Sequence, residues 1–349
     1  MNSYVRKNIA KMAGYTPGEQ PVDRQIIKLN TNENPYAPSP AVGRALEDFD
    51  FTNLGLYPDP VCSKLRGMIA DYHGCDAGCV LVGNGSDELL ALCIRAFVEA
   101  KGKVGYFEPS YSLYPVLADM HGLRKTAVPL GPDFEWAMPD EVDASLFFLA
   151  NPNAPTGIMY PLEQVRHFCE RFSGVVVIDE AYADFAEANC MSLALELENV
   201  IALRTFSKSF SLAGLRLGYA VGPVDLIGAL YKLKDSYNVD RIAQALGCAA
   251  FSDIEYMRSN SESIKTIRRH TAAALAKRGF KVYPSQTNFL WVEPAGIEAS
   301  VLFEKLRGEK ILVRYFPGPR TGKCLRISMG TREQMDKLAQ AVDRILKQP

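Results

Sequence analysis

Val175-Val176-Val177-Ile178-Asp179-Glu180-Ala181-Tyr182 sets four β-branched residues in a row and then turns polar. A strand with one wet face alternates apolar and polar side chains, whereas a strand covered on both faces reads as a continuous apolar run. The stretch therefore predicts a central parallel strand that ends at Asp179. Outward from it, Ser145-Leu146-Phe147-Phe148-Leu149 and Val200-Ile201-Ala202-Leu203 carry the same signature, with helical spacing over 161–172 between the first two runs. Val80-Leu81-Val82, Val104-Gly105-Tyr106-Phe107 and the segments 123–128 and 217–221 extend the series. Strands alternating with helices predict an α/β fold, a mostly parallel central sheet flanked by helices. After a long amphipathic helix over about 254–277 the rhythm changes. Short strands at 280–282, 288–292, 311–313 and 324–328, with helices near 298–307 and 331–346, predict a second, smaller α+β domain.

A chain of 349 residues is long enough for one large domain and a smaller companion. Its net charge of −1 offers no footprint for nucleic acid or an anionic membrane. No apolar run approaches the ~20 residues of a spanning helix, and the opening Met1-Asn2-Ser3-Tyr4-Val5-Arg6-Lys7 lacks the apolar core of a signal peptide. The eight cysteines are scattered, most of them inside apolar periodic segments. Cys75 and Cys79 form a lone pair without a nearby histidine cluster, which argues against zinc. Reduced thiols in the cytoplasm are the economical expectation.

Open parallel sheets place ligands beyond the carboxyl ends of their strands, and the chemistry-bearing residues cluster at those ends. Gly83-Asn84-Gly85-Ser86-Asp87-Glu88 follows one strand and opens an apolar helix over 89–100. Such a turn offers backbone N–H groups to a phosphate, although Ser86 or Asp87 could equally be a plain helix cap. The third glycine of a dinucleotide fingerprint and the Gly-Lys-Ser/Thr of a P-loop are both missing. Asp179 could cap a turn or lie under the ring nitrogen of a heterocycle. In Thr205-Phe206-Ser207-Lys208-Ser209-Phe210-Ser211-Leu212-Ala213-Gly214-Leu215-Arg216-Leu217-Gly218 a single lysine sits among hydroxyls just past a strand. It is either a solvated loop lysine or a Schiff-base nucleophile. Lysine, phosphate seat, second cation (Arg216) and acid together match what pyridoxal 5'-phosphate asks of a protein, with Tyr111 available to stack on its ring. Arg314, just after a strand, and Arg326, inside one, pair either with structural carboxylates or with an anionic substrate. The Asn-rich loop 30–34 is a turn or a cover over a polar ligand.

Several motifs carry a resemblance along the whole chain. They are Lys28-Leu29-Asn30-Thr31-Asn32-Glu33-Asn34-Pro35-Tyr36, Tyr57-Pro58-Asp59, the glycine turn, Asp179-Glu180-Ala181-Tyr182-Ala183-Asp184-Phe185, the lysine stretch and Cys324-Leu325-Arg326-Ile327-Ser328-Met329-Gly330-Thr331. The sequence resembles the fold-type I pyridoxal-phosphate aminotransferases and, among them, the histidinol-phosphate aminotransferase family. The resemblance implies amino transfer between histidinol phosphate and 2-oxoglutarate, giving imidazole acetol phosphate and glutamate. It implies an N-terminal arm with part of the small domain over 1–45, a large cofactor-binding domain over 46–254 and a small domain over 255–349. Lys208 would hold the cofactor and shuttle a proton, Asp179 would pair with the ring nitrogen, and Tyr182 with the ring hydroxyl. Gly85, Ser86, Asp87, Ser207 and Arg216 would seat the phosphate. Tyr57 would reach that phosphate from the second subunit of a homodimer with a shared active site. Tyr15, Asn32, Arg314 and Arg326 would face the substrate. One departure stands out: many relatives have asparagine before Pro-Thr-Gly, where this chain has Ala154, so that contact falls to Asn153 or Tyr182. Competing readings are an aromatic amino-acid aminotransferase, a phospho-amino-acid decarboxylase and a cofactor-binding sensor without turnover.

Overall fold

The computed structural model describes residues 4–23 and 25–347. Met1, Asn2 and Ser3 of the opening stretch, Arg24, and Gln348 and Pro349 lie outside the described residues. Among the described residues no helix is long and apolar enough to cross a membrane.

The strands are β1 (Ile27–Lys28), β2 (Val80–Gly83), β3 (Lys103–Glu108), β4 (Arg124–Pro129), β5 (Leu146–Ala150), β6 (Val175–Asp179), β7 (Val200–Thr205), β8 (Gly218–Val221), β9 (Lys281–Val282), β10 (Phe289–Glu293), β11 (Ile311–Leu312), β12 (Arg314–Tyr315) and β13 (Leu325–Ser328). A seven-stranded sheet runs in the order β2-β8-β7-β6-β5-β3-β4. All neighbours pair in parallel except β8, which is antiparallel to both β2 and β7. The apolar runs hide a period of two that the structure resolves. Val176 and Ile178 enter one core with the helices Ser63–His73, Leu162–Arg171 and Arg241–Phe251. Val177 enters another, with Ser86–Phe97, Leu113–His121 and Val224–Tyr231. Both faces are thus dry, and each such side chain contributes roughly 1.5–3 kcal/mol by leaving water.

A four-stranded antiparallel sheet, β12-β13-β10-β9, forms the second layer system. Leu290, Val292, Leu325 and Ile327 pack on the helices Ile254–Ala276, Ala299–Gly308 and Arg332–Lys347, while Trp291, between them, turns into the large core. Leu29 from the start of the chain belongs to the smaller core, and β1 pairs in parallel with β11.

Two local expectations need correction, and two short helices carried no expectation. The segment 311–313 is not one strand of the small sheet: β11 joins β1, and the chain then changes partner so that β12 joins β13. Arg314 therefore lies within a strand. The helix expected from residue 89 begins at Ser86, because its first turn is polar and shows no apolar spacing. The helices Lys7–Lys11 and Met191–Glu196 are too short for a periodic signal.

Candidate active site

The ends of β5, β6 and β7 open into a cavity of about 940 Å³, closed on its far side by the loop 30–33 and by β12 and β13. Gly85 sets the corner between β2 and the helix Ser86–Phe97. It has φ +81°, and a Cβ there would come within 2.7 Å of Nη2 of Arg216. Gly85 caps the helix Ser86–Phe97 without a side-chain bond, which leaves the first N–H groups of that helix available. Gly218 lets β8 pass close by, since a Cβ there would meet the Ser86 nitrogen at 2.7 Å. Arg216 bonds Ser207 Oγ at 3.3 Å through Nη1 and Asp87 Oδ2 at 3.3 Å through Nη2. Tyr111 donates to Asp87 Oδ1 at 3.2 Å. Asp87 is thus satisfied by side chains, and its backbone remains for an anion.

Lys208 stands at the loop after β7, partly buried, with Nζ donating to the Thr31 carbonyl at 3.2 Å. Nζ also lies 5.8 Å from the Tyr182 ring centroid. Burial first, and then the Arg326 and Arg216 guanidiniums, push its pKa down to about 8 against the pull of Glu33 and Asp87. A lysine in this range can shed its proton close to neutrality. Its backbone is pinned: Asn34 Nδ2 donates to the carbonyls of Lys208 and Ser209, both at 3.1 Å. Ser209 Oγ donates to Asp184, whose other oxygen takes Arg204 Nη1 at 2.8 Å. Arg204 Nε meets Glu180 at 2.8 Å, so the ends of β6 and β7 are tied by a buried ion network under the lysine.

Asp179 lines the cavity at the end of β6. Burial raises its pKa to about 6, helped by Asp87 and Glu180 and opposed by bonds from Tyr114 Oη (2.8 Å) and the Ala181 N–H (3.1 Å). Tyr182 accepts from Asn32 Nδ2 at 2.8 Å. Asn32 itself has φ +56° and is held by Ser328 and Asn288. Burial raises the Tyr182 phenol, with Arg326 acting against it.

On the opposite wall Arg314 and Arg326 are cross-strand partners of β12 and β13. Like charges directly opposite repel. Arg326 sits between the rings of Phe289 and Phe316, at 5.3 and 5.2 Å, and gives one bond, from Nη2 to the Asn30 carbonyl. Its buried Nε has no partner among the described residues. Arg314 donates to the carbonyls of Thr16 and Pro17, and Tyr15 meets Tyr111 edge-on at 6.0 Å.

Three of the expected residues do not line the cavity: Gly85, which shapes the corner beside it, Asn153 and Tyr57. Asn153 does not line the cavity: its amide is spent on Ser110, Thr156 and the Pro109 carbonyl. Ala154 does line it, so of the two residues expected to cover the Ala154 position only Tyr182 faces the cavity. Tyr57 is 76% exposed, stacked on Tyr237 at 4.3 Å, and also lies off the cavity of its own chain. Conversely, sequence reasoning missed Tyr114, Asn34 and Arg204. Tyr111 lies just before the helix Leu113–His121 and Tyr114 in its first turn, so no helical spacing links the two and the sequence carries no signal for the first. The other two act on backbone and on carboxylates, which leave no pattern.

The profile of the family described as aminotransferase class I and II matches residues 24–342. Histidinol-phosphate aminotransferase of Geobacter sp. (strain M21) is 43% identical over 340 residues, 97% of each chain. Histidinol-phosphate aminotransferase 1 of Nostoc sp. (strain PCC 7120) is 43% identical over 350 residues, 99% of each. The crystal structure of histidinol-phosphate aminotransferase from Sinorhizobium meliloti in complex with pyridoxal-5'-phosphate superposes with a TM-score of 0.89 at 28% identity, covering 99% of this chain and 98% of that one. Family profile, near full-length identity and fold agree with the strand-end cavity, and the chain belongs to the class I and II aminotransferases, in the histidinol-phosphate aminotransferase branch.

Proposed function

We propose that this chain is a pyridoxal 5'-phosphate-dependent enzyme of histidine biosynthesis that moves an amino group between histidinol phosphate and 2-oxoglutarate. The observation that carries the reading is one cavity with two unlike walls: Lys208 and Asp179 on one, and the facing pair Arg314 and Arg326 on the other. The residues fit the cofactor. The cradle at Gly85, which any side chain would fill, suits a phosphate beside Arg216, Ser207 and the N–H groups of Ser86 and Asp87. When bound, pyridoxal phosphate supplies an electron sink for the substrate carbon.

The chain's residues divide the remaining work. Lys208 Nζ, which burial lets shed its proton readily, would hold the cofactor and, once an incoming amine had displaced it, would carry the proton to and from the substrate carbon. Asp179 would keep the ring nitrogen protonated, Tyr182 with Asn32 behind it would serve the ring hydroxyl, and Tyr111 would cover the ring face. Arg326 takes the anion of each donor in turn, and Arg314 the phosphate ester. Tyr15 and Asn32 border the same space.

The assembly is a homodimer with shared sites, in the cytoplasm. Exposed Phe51, Leu54, Leu56 and Tyr57 support it as a covered face, and Tyr57 reaches the partner's phosphate seat. The division into an arm (1–45), a large domain (46–254) and a small domain (255–349) is supported by the core that Leu29 of the arm shares with about the last hundred residues, although Val42, Met257 and Trp291 pack into the larger core.

Steady-state kinetics with histidinol phosphate and phenylalanine side by side test the substrate. Histidinol phosphate should show the higher kcat/KM, and a preference for phenylalanine would overturn the assignment. Mixing Lys208→Ala with Tyr57→Ala chains tests the dimer. Recovered activity in hybrids is expected, and none, with subunit exchange verified, would remove Tyr57 from the partner's site.

A further inference from the structure

Tyr114 is fully buried behind the cavity wall and lines none of it, yet its hydroxyl lies 2.8 Å from Oδ2 of Asp179. The ring cannot easily turn away. It stacks on Phe148 at 4.8 Å and 21° and meets Tyr111 edge-on at 5.5 Å. The Ala181 N–H takes Oδ1 of the same carboxylate at 3.1 Å. Each oxygen thus has one protein donor, Tyr114 from behind the wall and Ala181 from its lining, and the remaining lone pairs are left for the cavity.

We propose that Tyr114 is a positioning residue for Asp179, orienting the carboxylate and holding it ionised so that it can keep a bound ring nitrogen protonated. This rests on the reading of Asp179 as the partner of that nitrogen. The surroundings make such a residue necessary. Burial, Asp87 and Glu180 all favour the neutral acid, Tyr111 and Tyr182 add no positive charge, and the bonds from Tyr114 and Ala181 are what oppose them. A neutral acid has no charge with which to hold a pyridinium proton. A cationic donor in place of Tyr114 would orient the carboxylate but cancel its charge, whereas a phenol orients it and leaves the charge intact. Packing alone would be served equally well by phenylalanine.

Tyr114→Phe tests the role, because it keeps the ring contacts and removes only the hydroxyl. In cofactor-free protein, an infrared titration of the carboxyl group, assigned against Asp179→Asn, should show the Asp179 midpoint raised by about one to two pH units. In loaded enzyme, kcat should fall about tenfold or more, with its acid limb moved to higher pH. Tyr114→Phe added to Asp179→Asn should cost nothing further, since Tyr114 acts through Asp179. Site-specific 3-fluorotyrosine at 114, a stronger donor of nearly the same shape, should shift the midpoint the other way. An unmoved midpoint, or losses that multiply in the double variant, overturns the inference. If Asp179→Asn itself leaves kcat unchanged, the reading of Asp179 fails and this inference fails with it. A large Asp179→Asn loss beside an inert Tyr114→Phe sinks the inference alone.

Discussion

The two walls of the cavity are built on opposite electrostatic plans. Beneath Lys208, the buried guanidinium finds its counter-charges: Arg204 is gripped by Glu180 and Asp184, and Asp184 also takes Ser209. Across the cavity, Arg314 and Arg326 face each other with carbonyl oxygens as their hydrogen-bond partners, and one nitrogen of Arg326 has none among the described residues. The ion network under the lysine is complete in itself. The second wall is left in deficit, and only an arriving anion can make it good. Rigid geometry belongs where bonds are made, and unspent charge belongs where ligands must come and go.

The sharpest way to break this contrast is on the lysine wall. Lys208→Ala should abolish turnover by at least about four orders of magnitude, as loss of a covalent nucleophile does, and remove the cofactor's visible band. Normal activity with a borohydride-trappable adduct would place the nucleophile elsewhere. Next, Asp179→Asn should lower kcat by about 10²–10³-fold while leaving KM nearly unchanged. A loss confined to KM would contradict a role in the chemical step.

The same substitution should also make the cofactor-free protein more stable. The folded pKa of Asp179, about 6, lies above its ordinary 3.8, so the native state holds an extra proton between those values and stability falls as pH rises through them. Asn escapes that loss, which is on the order of 3 kcal/mol above pH 6. Thermal melts at pH 7 should show the gain, and it should vanish toward pH 3.8. Equal melting of both proteins at pH 7 would mean that the wall carries no such strain.

On the arginine wall, Arg326→Lys should raise KM for histidinol phosphate and glutamate alike, by about 10–100-fold, because a point charge replaces a planar fork. Arg314→Ala should raise it for histidinol phosphate alone. A uniform effect of both variants would erase the division between the two arginines. A further change is expected at Tyr57. If it reaches a partner subunit's cofactor phosphate, as proposed, Tyr57→Phe would remove one bond there and should weaken cofactor affinity by about one to two decades in equilibrium titration.

Most of the lysine wall is legible in the sequence, because strand ends announce themselves. A β-branched run stops at Asp179, and another apolar run stops just before Lys208. The arginine wall is legible only in part. Arg326 reads as a strand residue, but the break between β11 and β12 that sets Arg314 opposite it depends on pairing with β1, some 280 residues earlier. Local spacing carries no record of such a partner. Asn153 shows the converse failure. It sits in the expected motif, yet its amide is consumed by Ser110, Pro109 and Thr156, which only the folded loop brings near.

The pairing of β1 with β11 bears on how the protein is made. The segment that carries Thr31, Asn32 and Asn34 to the lysine is made some 280 residues before its strand partner. At about 5–20 residues per second, the arm waits tens of seconds without its mate. The central sheet can form in that interval, but the loop over Lys208 gains its strand partner only once β11 has been made. The surroundings of Lys208 are therefore completed late, and a nascent chain short of β11 has no finished site in which to capture an aldehyde.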